Sequence, residues 1–273
     1  MTVLAIDLDG TLLDSNHQIS QTNLAAVRKA SQQGATIVLA TGRSIYSTLQ
    51  MIDTLAVDAY VIALNGTVIG EYLAGKFTVY HRASLDRKVM QTALAICEEE
   101  RITYIASNES GSDRVEFDST EVLVQEFLDN RPDLRRVSLT RMHELLSAED
   151  AAYLKLAFTD LETDRLLHLQ QRLAEQEIET IFSDYHYIEH LPANHNKGAA
   201  LQYLIEKLNR SITDTIAIGD QENDLEMLTI SGLGIAMGNA KEKVKQAADY
   251  VTGTNDEHGV AQAIEYLLAE GRL

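Results

Sequence analysis

Two aspartates two residues apart, Asp7 and Asp9, follow directly on the apolar run Val3-Leu4-Ala5-Ile6. Such a short apolar run, bounded by turn residues, reads as a strand buried on both faces. The two carboxylates therefore stand at the carboxyl edge of a buried strand, where desolvating an unpartnered charge is expensive. Something positive must lie between them, and a divalent cation with oxygen ligands is the simplest candidate. Gly10 lets the chain turn sharply after the acids, and Thr11 can satisfy backbone groups at that turn.

The same style recurs along both ends of the chain. A helix is expected near Gln21–Gln32, a strand over Ala35-Thr36-Ile37-Val38-Leu39 and a helix near Ile45–Leu55. A third apolar run, Ala59–Leu64, ends at the turn dipeptide Asn65-Gly66, and Thr67–Tyr72 with Lys76–Tyr80 reads as a hairpin. Near the C-terminus, helices are expected over Asn196–Leu208, Asp224–Ile230, Lys241–Ala248 and Val260–Ala269. Strands are expected at Thr215–Ile218 and Gly234–Met237. Short apolar strands alternating with helices imply an α/β fold with a parallel sheet covered on both faces.

Between these ends the helices lengthen and the strands become half-buried. Leu85–Glu100 and Leu161–Gln176 read as helices, and Thr103–Ala106 and Glu179–Phe182 as strands. This pattern predicts a core domain formed by residues 1–80 and 190–273, with an α+β domain, 81–189, inserted into it. The chain has only two prolines, Pro132 and Pro192, so no proline-rich linker marks the boundaries.

In open α/β sheets, ligands bind at the carboxyl ends of the strands. Four clusters fall there or at a helix start. Asp7/Asp9 is the first. Thr41-Gly42-Arg43 is the second, offering a hydroxyl and a glycine N–H, a cradle suited to phosphate oxygens and equally an ordinary cap and turn. Asn196-Lys197-Gly198 is the third. A lysine in a first helical turn faces the positive end of the helix dipole, which suits either a solvated lysine or one that reaches an anion. Gly219-Asp220-Gln221-Glu222-Asn223-Asp224 is the fourth; its acids read either as cation ligands or as helix-capping charges, the latter suiting Asp224 better than Asp220.

Composition narrows the partners. With 23 Lys and Arg against 41 Asp and Glu, the net charge is −18, which disfavours nucleic acid and anionic membranes. A small phosphorylated substrate stays compatible, because a bound cation inverts the local field. No apolar stretch reaches bilayer length, and the N-terminus lacks a basic-then-apolar signal layout. The single cysteine, Cys97, excludes an internal disulfide framework, suits a reducing cytoplasm and falls on the apolar face of its helix.

Taken in order, these clusters resemble the motifs of the haloacid dehalogenase superfamily of phosphatases, and in detail its Cof-like hydrolase branch. The resemblance implies a Rossmann-like core with an inserted cap that selects the substrate. It implies that Asp7 is the nucleophile and forms an aspartyl-phosphate, while Asp9 serves as general acid and then base. Mg²⁺ would be held by Asp7, Asp220 and the backbone carbonyl of Asp9. Thr41, Gly42, Lys197, Asn223 and the Leu8 N–H would hold the phosphoryl oxygens, with Asp224 orienting Lys197 or a metal-bound water. Arg43 remains open between phosphate ligand and structural ion pair. Sugar phosphates or phosphorylated cofactors are the expected substrates, with cap contacts sought in the loop Asn108–Arg114. A sugar phosphomutase and a non-catalytic metabolite-binding protein are the alternatives. His186, His190 and His195 carry no metal-ligand context beyond proximity.

Overall fold

The computed structural model of the chain describes residues 2–117, 133–149 and 151–273; Pro132 lies outside them. The chain forms two compact units, one from residues 1–43, 48–81 and 194–273 and the other from 44–47 and 82–193.

The first unit is built on an eight-stranded sheet. Its strands are β1 (Val3–Ile6), β2 (Thr36–Ala40), β3 (Ala59–Ala63), β4 (Val68–Leu73), β5 (Lys76–Arg82), β12 (Thr215–Gly219), β13 (Leu233–Ala236) and β14 (Tyr250–Val251), in the order β14-β13-β12-β1-β2-β3-β4-β5. All pairings from β14 to β3 are parallel, and β4 returns antiparallel to β3. Every residue of β1 and β12 is buried, as central strands covered on both sides require.

The helices of this unit are α1 (Gln21–Gln32), α2 (Ile45–Leu55), α6 (Lys197–Lys207), α7 (Leu225–Ile230), α8 (Glu242–Ala247) and α9 (Gly259–Ala269). Ser20 caps α1 by accepting the Asn23 N–H at 3.2 Å. Helix α1 then buries Leu24, Val27 and Ala30, spaced three apart along one face, and packs on α9. The parallel pairs β1/β2 and β1/β12 bring the carboxyl ends of the three strands into line, although β1 and β12 lie at opposite ends of the sequence.

Among the described residues the second unit has a six-stranded sheet in the order β10-β11-β9-β6-β7-β8. The strands are β6 (Thr103–Asn108), β7 (Gly111–Val115), β8 (Leu134–Arg136), β9 (Lys155–Thr159), β10 (Ile181–Asp184) and β11 (Tyr187–His190). Helices α3 (Arg87–Glu100), α4 (Leu139–Ser147) and α5 (Thr163–Ala174) form one core with Tyr104, Leu156, Phe158 and Ile188 of the sheet. Cys97 lies in that core, where burial and the nearby Glu100 push its thiol well up.

Two local expectations shift. The strand expected at 179–182 runs over Ile181–Asp184 instead, because pairing with β11 fixes its register. The expected loop Asn108–Arg114 is mostly a hairpin: Ser107 pairs with Ser112 and Asn108 with Gly111, which puts Ser112, Asp113 and Arg114 in a buried strand. The alternation that marks a half-buried strand is hard to see there, because polar residues occupy both faces. His186 sits in the turn between β10 and β11, and His190 ends β11. Among the described residues no helix is long and apolar enough to cross a membrane.

Candidate active site

Asp7 follows β1 and is tied to the neighbouring strand by its N–H, which donates to the Ile218 carbonyl at 3.0 Å. Asp7 is 4% exposed, and Asp220, just beyond β12, is 2% exposed. Gly10 makes the approach possible. Its φ is +77°, and a Cβ there would run into the Asp220 carboxylate. Thr11 closes the turn by donating its hydroxyl to Asp220 Oδ1 at 2.9 Å.

Lys197 opens α6 and is fully buried, at 1% exposure. Asn196 caps the helix, its side-chain oxygen accepting the Ala199 N–H at 2.8 Å, and so sets where Lys197 begins. The ammonium donates to Asp7 Oδ1 at 2.6 Å and to Asp224 Oδ1 at 2.7 Å. The other oxygen of Asp224 accepts the N–H groups of Asp220 and Gln221, each at 3.0 Å. Asp224 thus both caps the turn after β12 and holds Lys197.

The electrostatics of this cluster are unbalanced. Asp7, Asp220 and Asp224 present oxygens within 4.8 Å of one another, and Lys197 is the ammonium bonded among them. Three carboxylates against one ammonium leave two negative charges over. Burial pushes the Asp7 carboxyl up to about 7; Lys197 pulls it down, while Asp224 and Asp9 push it up. Burial, then the Asp7 and Asp224 charges, raise Asp220 well above the usual carboxylate range, against the Thr11 hydroxyl and Lys197. Burial alone would lower Lys197, yet Asp224 and Asp7 hold it above its ordinary value. A buried, oxygen-only donor set with two uncompensated charges fits a hard divalent cation.

Asp9 faces elsewhere. Its side chain is 45% exposed and is gripped by the Arg43 guanidinium, with Nε donating to Oδ2 at 2.7 Å. The ion pair is the arrangement Arg43 adopts here. Thr41 is fully buried after β2, its carbonyl accepting the Asn65 N–H at 2.9 Å and its hydroxyl accepting the Arg43 N–H at 3.1 Å. Gly42 lies beside Asn65, where a Cβ would come within 3.2 Å of the Asn65 amide nitrogen. Asn223 donates its amide to Asn65 Oδ1 at 3.1 Å. The Leu8 side chain is fully buried, and its carbonyl accepts the Leu13 N–H at 2.9 Å.

Asn65 therefore joins the second cluster to the fourth, a role its sequence position concealed. The Asn-Gly pair reads as a turn, and Asn65 does adopt a positive φ of 55°. Nothing in a turn signal says that the side chain points inward. Three further asparagines hold the loop after β1: Asn239 donates to the Gly10 carbonyl at 2.8 Å, Asn23 to Leu12 at 3.2 Å and Asn255 to Leu13 at 3.0 Å. They lie far apart in sequence, and no local pattern distinguishes them from surface asparagines.

Comparison with known proteins bears on this geometry. A family model described as haloacid dehalogenase-like hydrolase matches residues 4–264. A phosphatase of Bacillus subtilis, YwpJ, is 33% identical over 294 residues, covering 98% of this chain and all 100% of its own. YcsE of the same organism, named 5-amino-6-(5-phospho-D-ribitylamino)uracil phosphatase, is 32% identical and covers 97% of this chain and 94% of its own. A solved haloacid dehalogenase-like hydrolase from B. subtilis superposes with a TM-score of 0.85 at 30% identity, covering 98% of this chain and 100% of the other.

Proposed function

The chain belongs to the haloacid dehalogenase-like hydrolase family and is a phosphatase, and we propose that it is a Mg²⁺-dependent one, acting on small phosphorylated metabolites through Asp7. The observation that carries this reading is the Lys197 ammonium held between Asp7 and Asp224, with Asp220 alongside. Four sequence clusters spread over more than two hundred residues meet around that one ammonium and its neighbours.

Each group has a role in the proposed reaction. An oxygen of Asp7 attacks phosphorus as the bond to the leaving oxygen breaks, giving an aspartyl-phosphate. Asp9 gives its proton to the leaving alkoxide. It then takes a proton from the water that attacks the phosphorus of the aspartyl-phosphate, releasing phosphate and restoring Asp7. Asp9 is paired with Arg43 in this structure, so the acid step requires Asp9 to leave Arg43. Lys197, the Thr41 hydroxyl and the Gly42 and Leu8 N–H groups would hold the phosphoryl oxygens, and Asn223 would do so from its place beside Asn65. Phosphoryl transfer calls mainly for such positioning and charge neutralisation. Asp7, Asp220 and the Asp9 carbonyl would hold Mg²⁺, with Asp224 keeping Lys197 in place. The ion supplies positive charge that offsets repulsion between the anionic nucleophile and the anionic phosphate. The inserted residues 81–189 would read the rest of the substrate. YcsE is named for a phosphate ester of a ribityl-substituted uracil, which supports a sugar phosphate or a phosphorylated cofactor here.

The test is a phosphate-release screen over metabolite phosphates with and without Mg²⁺, repeated with Asp7→Asn. Mg²⁺-dependent release lost by more than about a thousandfold in the variant, roughly 4 kcal/mol in barrier, is the expected result. Asp7→Asn turnover within tenfold of the unaltered protein would overturn the nucleophile assignment.

A further inference from the structure

His81 and His195 meet ring to ring, although 114 positions separate them in sequence. His81 lies in β5 and His195 two residues before α6, and both belong to the first unit. The chain leaves that unit after His81 and returns to it at Asn194, so the pair ties together the two ends of the insertion. The Nε2 atoms are 3.1 Å apart, the ring planes differ by 8° and the centroids are 5.4 Å apart. The centroid separation exceeds the nitrogen separation by two ring radii, which requires the nitrogens to point straight at each other. That is the geometry of an N–H···N hydrogen bond. A shared zinc ion would sit midway, closer to each nitrogen than the ~2.0–2.1 Å it requires.

The contact has room for one proton and no more. A neutral imidazole offers one donor and one acceptor nitrogen, an imidazolium two donors. The bond therefore survives with both rings neutral or with one charged, and with both charged two N–H groups oppose each other. Tyr203 of α6 packs on His81 at 5.4 Å, and Lys207 of the same helix lies over the Tyr80 ring at 4.4 Å. Next to His81 in β5, Tyr80 donates to Glu71 of β4 and Arg82 pairs with Glu109. Beside His195, Lys197 is held by Asp7 and Asp224, and Glu226 of α7 accepts from Asn196 Nδ2. Burial, then the neighbouring His195, lowers the His81 imidazole below its ordinary value of 6.5. An imidazole lowered on folding stabilises the fold above its unfolded value and loses that contribution as the pH drops below it.

We propose that the His81–His195 pair positions Lys197, closed while the two rings share a proton and open when both are charged. Its part in catalysis rests on the phosphatase reading above. His195 directly precedes Asn196, whose side chain caps α6, and Lys197 is the first residue of that helix. On the other side, the Asn196 carbonyl sits against Gly66. The bond to His81 thus fixes the chain just before the cap. Losing it frees the stretch that enters the helix on which Lys197 depends.

The test follows both rings by the NMR shifts of their nitrogens and measures kcat/KM for one phosphate ester, from about pH 8 to about pH 5. The expected titration is coupled, the second proton binding at least about one pH unit below the first. His81→Gln keeps a side chain that donates to a neutral His195 or accepts from a charged one. His81→Ala removes the bond at every pH. At the alkaline end His81→Ala should be about threefold to tenfold less active than the unaltered protein, the range of one hydrogen bond, and the two should converge in acid. His81→Gln should match the unaltered protein at the alkaline end and exceed it by a similar factor in acid. These ratios cancel the titration of the substrate and of Asp7 and Asp9, and a side chain that only fills space would move them equally at every pH. Ratios independent of pH in both variants would overturn the positioning role, and rings that titrate independently would overturn the pair. An unaltered protein that releases no phosphate from any ester would instead overturn the phosphatase reading and the positioning role with it, while the NMR titration still decides the pair.

Discussion

Lys197 is the residue on which the candidate site turns. An ammonium in the first turn of a helix opposes the helix dipole, and here it is also withdrawn from water. Both costs are offset by two carboxylates at 2.6 and 2.7 Å. Removing one partner of a buried ion pair costs about 3–5 kcal/mol, because the other charge is left uncompensated. Lys197→Met keeps most of the side-chain volume and removes the charge. It should lower unfolding free energy by about that amount in urea denaturation without metal, and should reduce phosphate release by at least about a hundredfold, some 2.7 kcal/mol. A variant of unchanged stability would mean that Asp7 and Asp224 do not depend on the ammonium for their burial.

At the scale of elements, the position of Lys197 depends on where α6 begins. The turn after β3 controls that. Gly66 has φ +99°, and a Cβ there would collide with the Asn196 carbonyl, the residue that caps α6. Gly66→Ala therefore combines a strained backbone conformation with a push against the helix start. Glycine-to-alanine changes at compatible sites stabilise by about 0.4–1 kcal/mol; at an incompatible φ they destabilise by more than that. The expected outcome is a lower urea midpoint together with weaker phosphate binding, measured by product inhibition. Asn196→Ala, which removes only the cap, should cost about 1 kcal/mol and perturb phosphate binding less.

The whole first unit is discontinuous in sequence, and its site shares that property. The Thr11–Asp220 hydrogen bond joins residues 209 positions apart, and the Lys197–Asp7 bond joins residues 190 apart. The proposed metal site accordingly exists only in the folded unit. A cation that binds there and not to the unfolded chain stabilises the fold by mass action, about 2.7 kcal/mol at a hundred times its Kd. Mg²⁺ should raise the melting temperature, and a chelator should reverse the rise. Asp220→Asn should abolish most of this response while removing a repulsive buried charge, so its metal-free melting temperature should equal or exceed that of the unaltered protein. A Mg²⁺ shift unaffected by Asp220→Asn would place the ion elsewhere.

The strand–helix alternation of the first unit was legible because buried parallel strands are short, uniformly apolar and end abruptly in polar residues, as Val3–Ile6 before Asp7 and Thr215–Gly219 before Asp220 do. The two acidic clusters and Lys197 stood out for the same reason: charge at the end of a buried element demands an explanation. What the sequence could not decide was pairing across distance. It left Arg43 between two roles, and only the fold turned it onto Asp9. It hid Asn65 in a turn signal, and it read Asn108–Arg114 as a loop because a strand with polar groups on both faces has no visible period. Local periodicity reports burial of a face; which charge meets which across two hundred residues is set by the order of strands in the sheet.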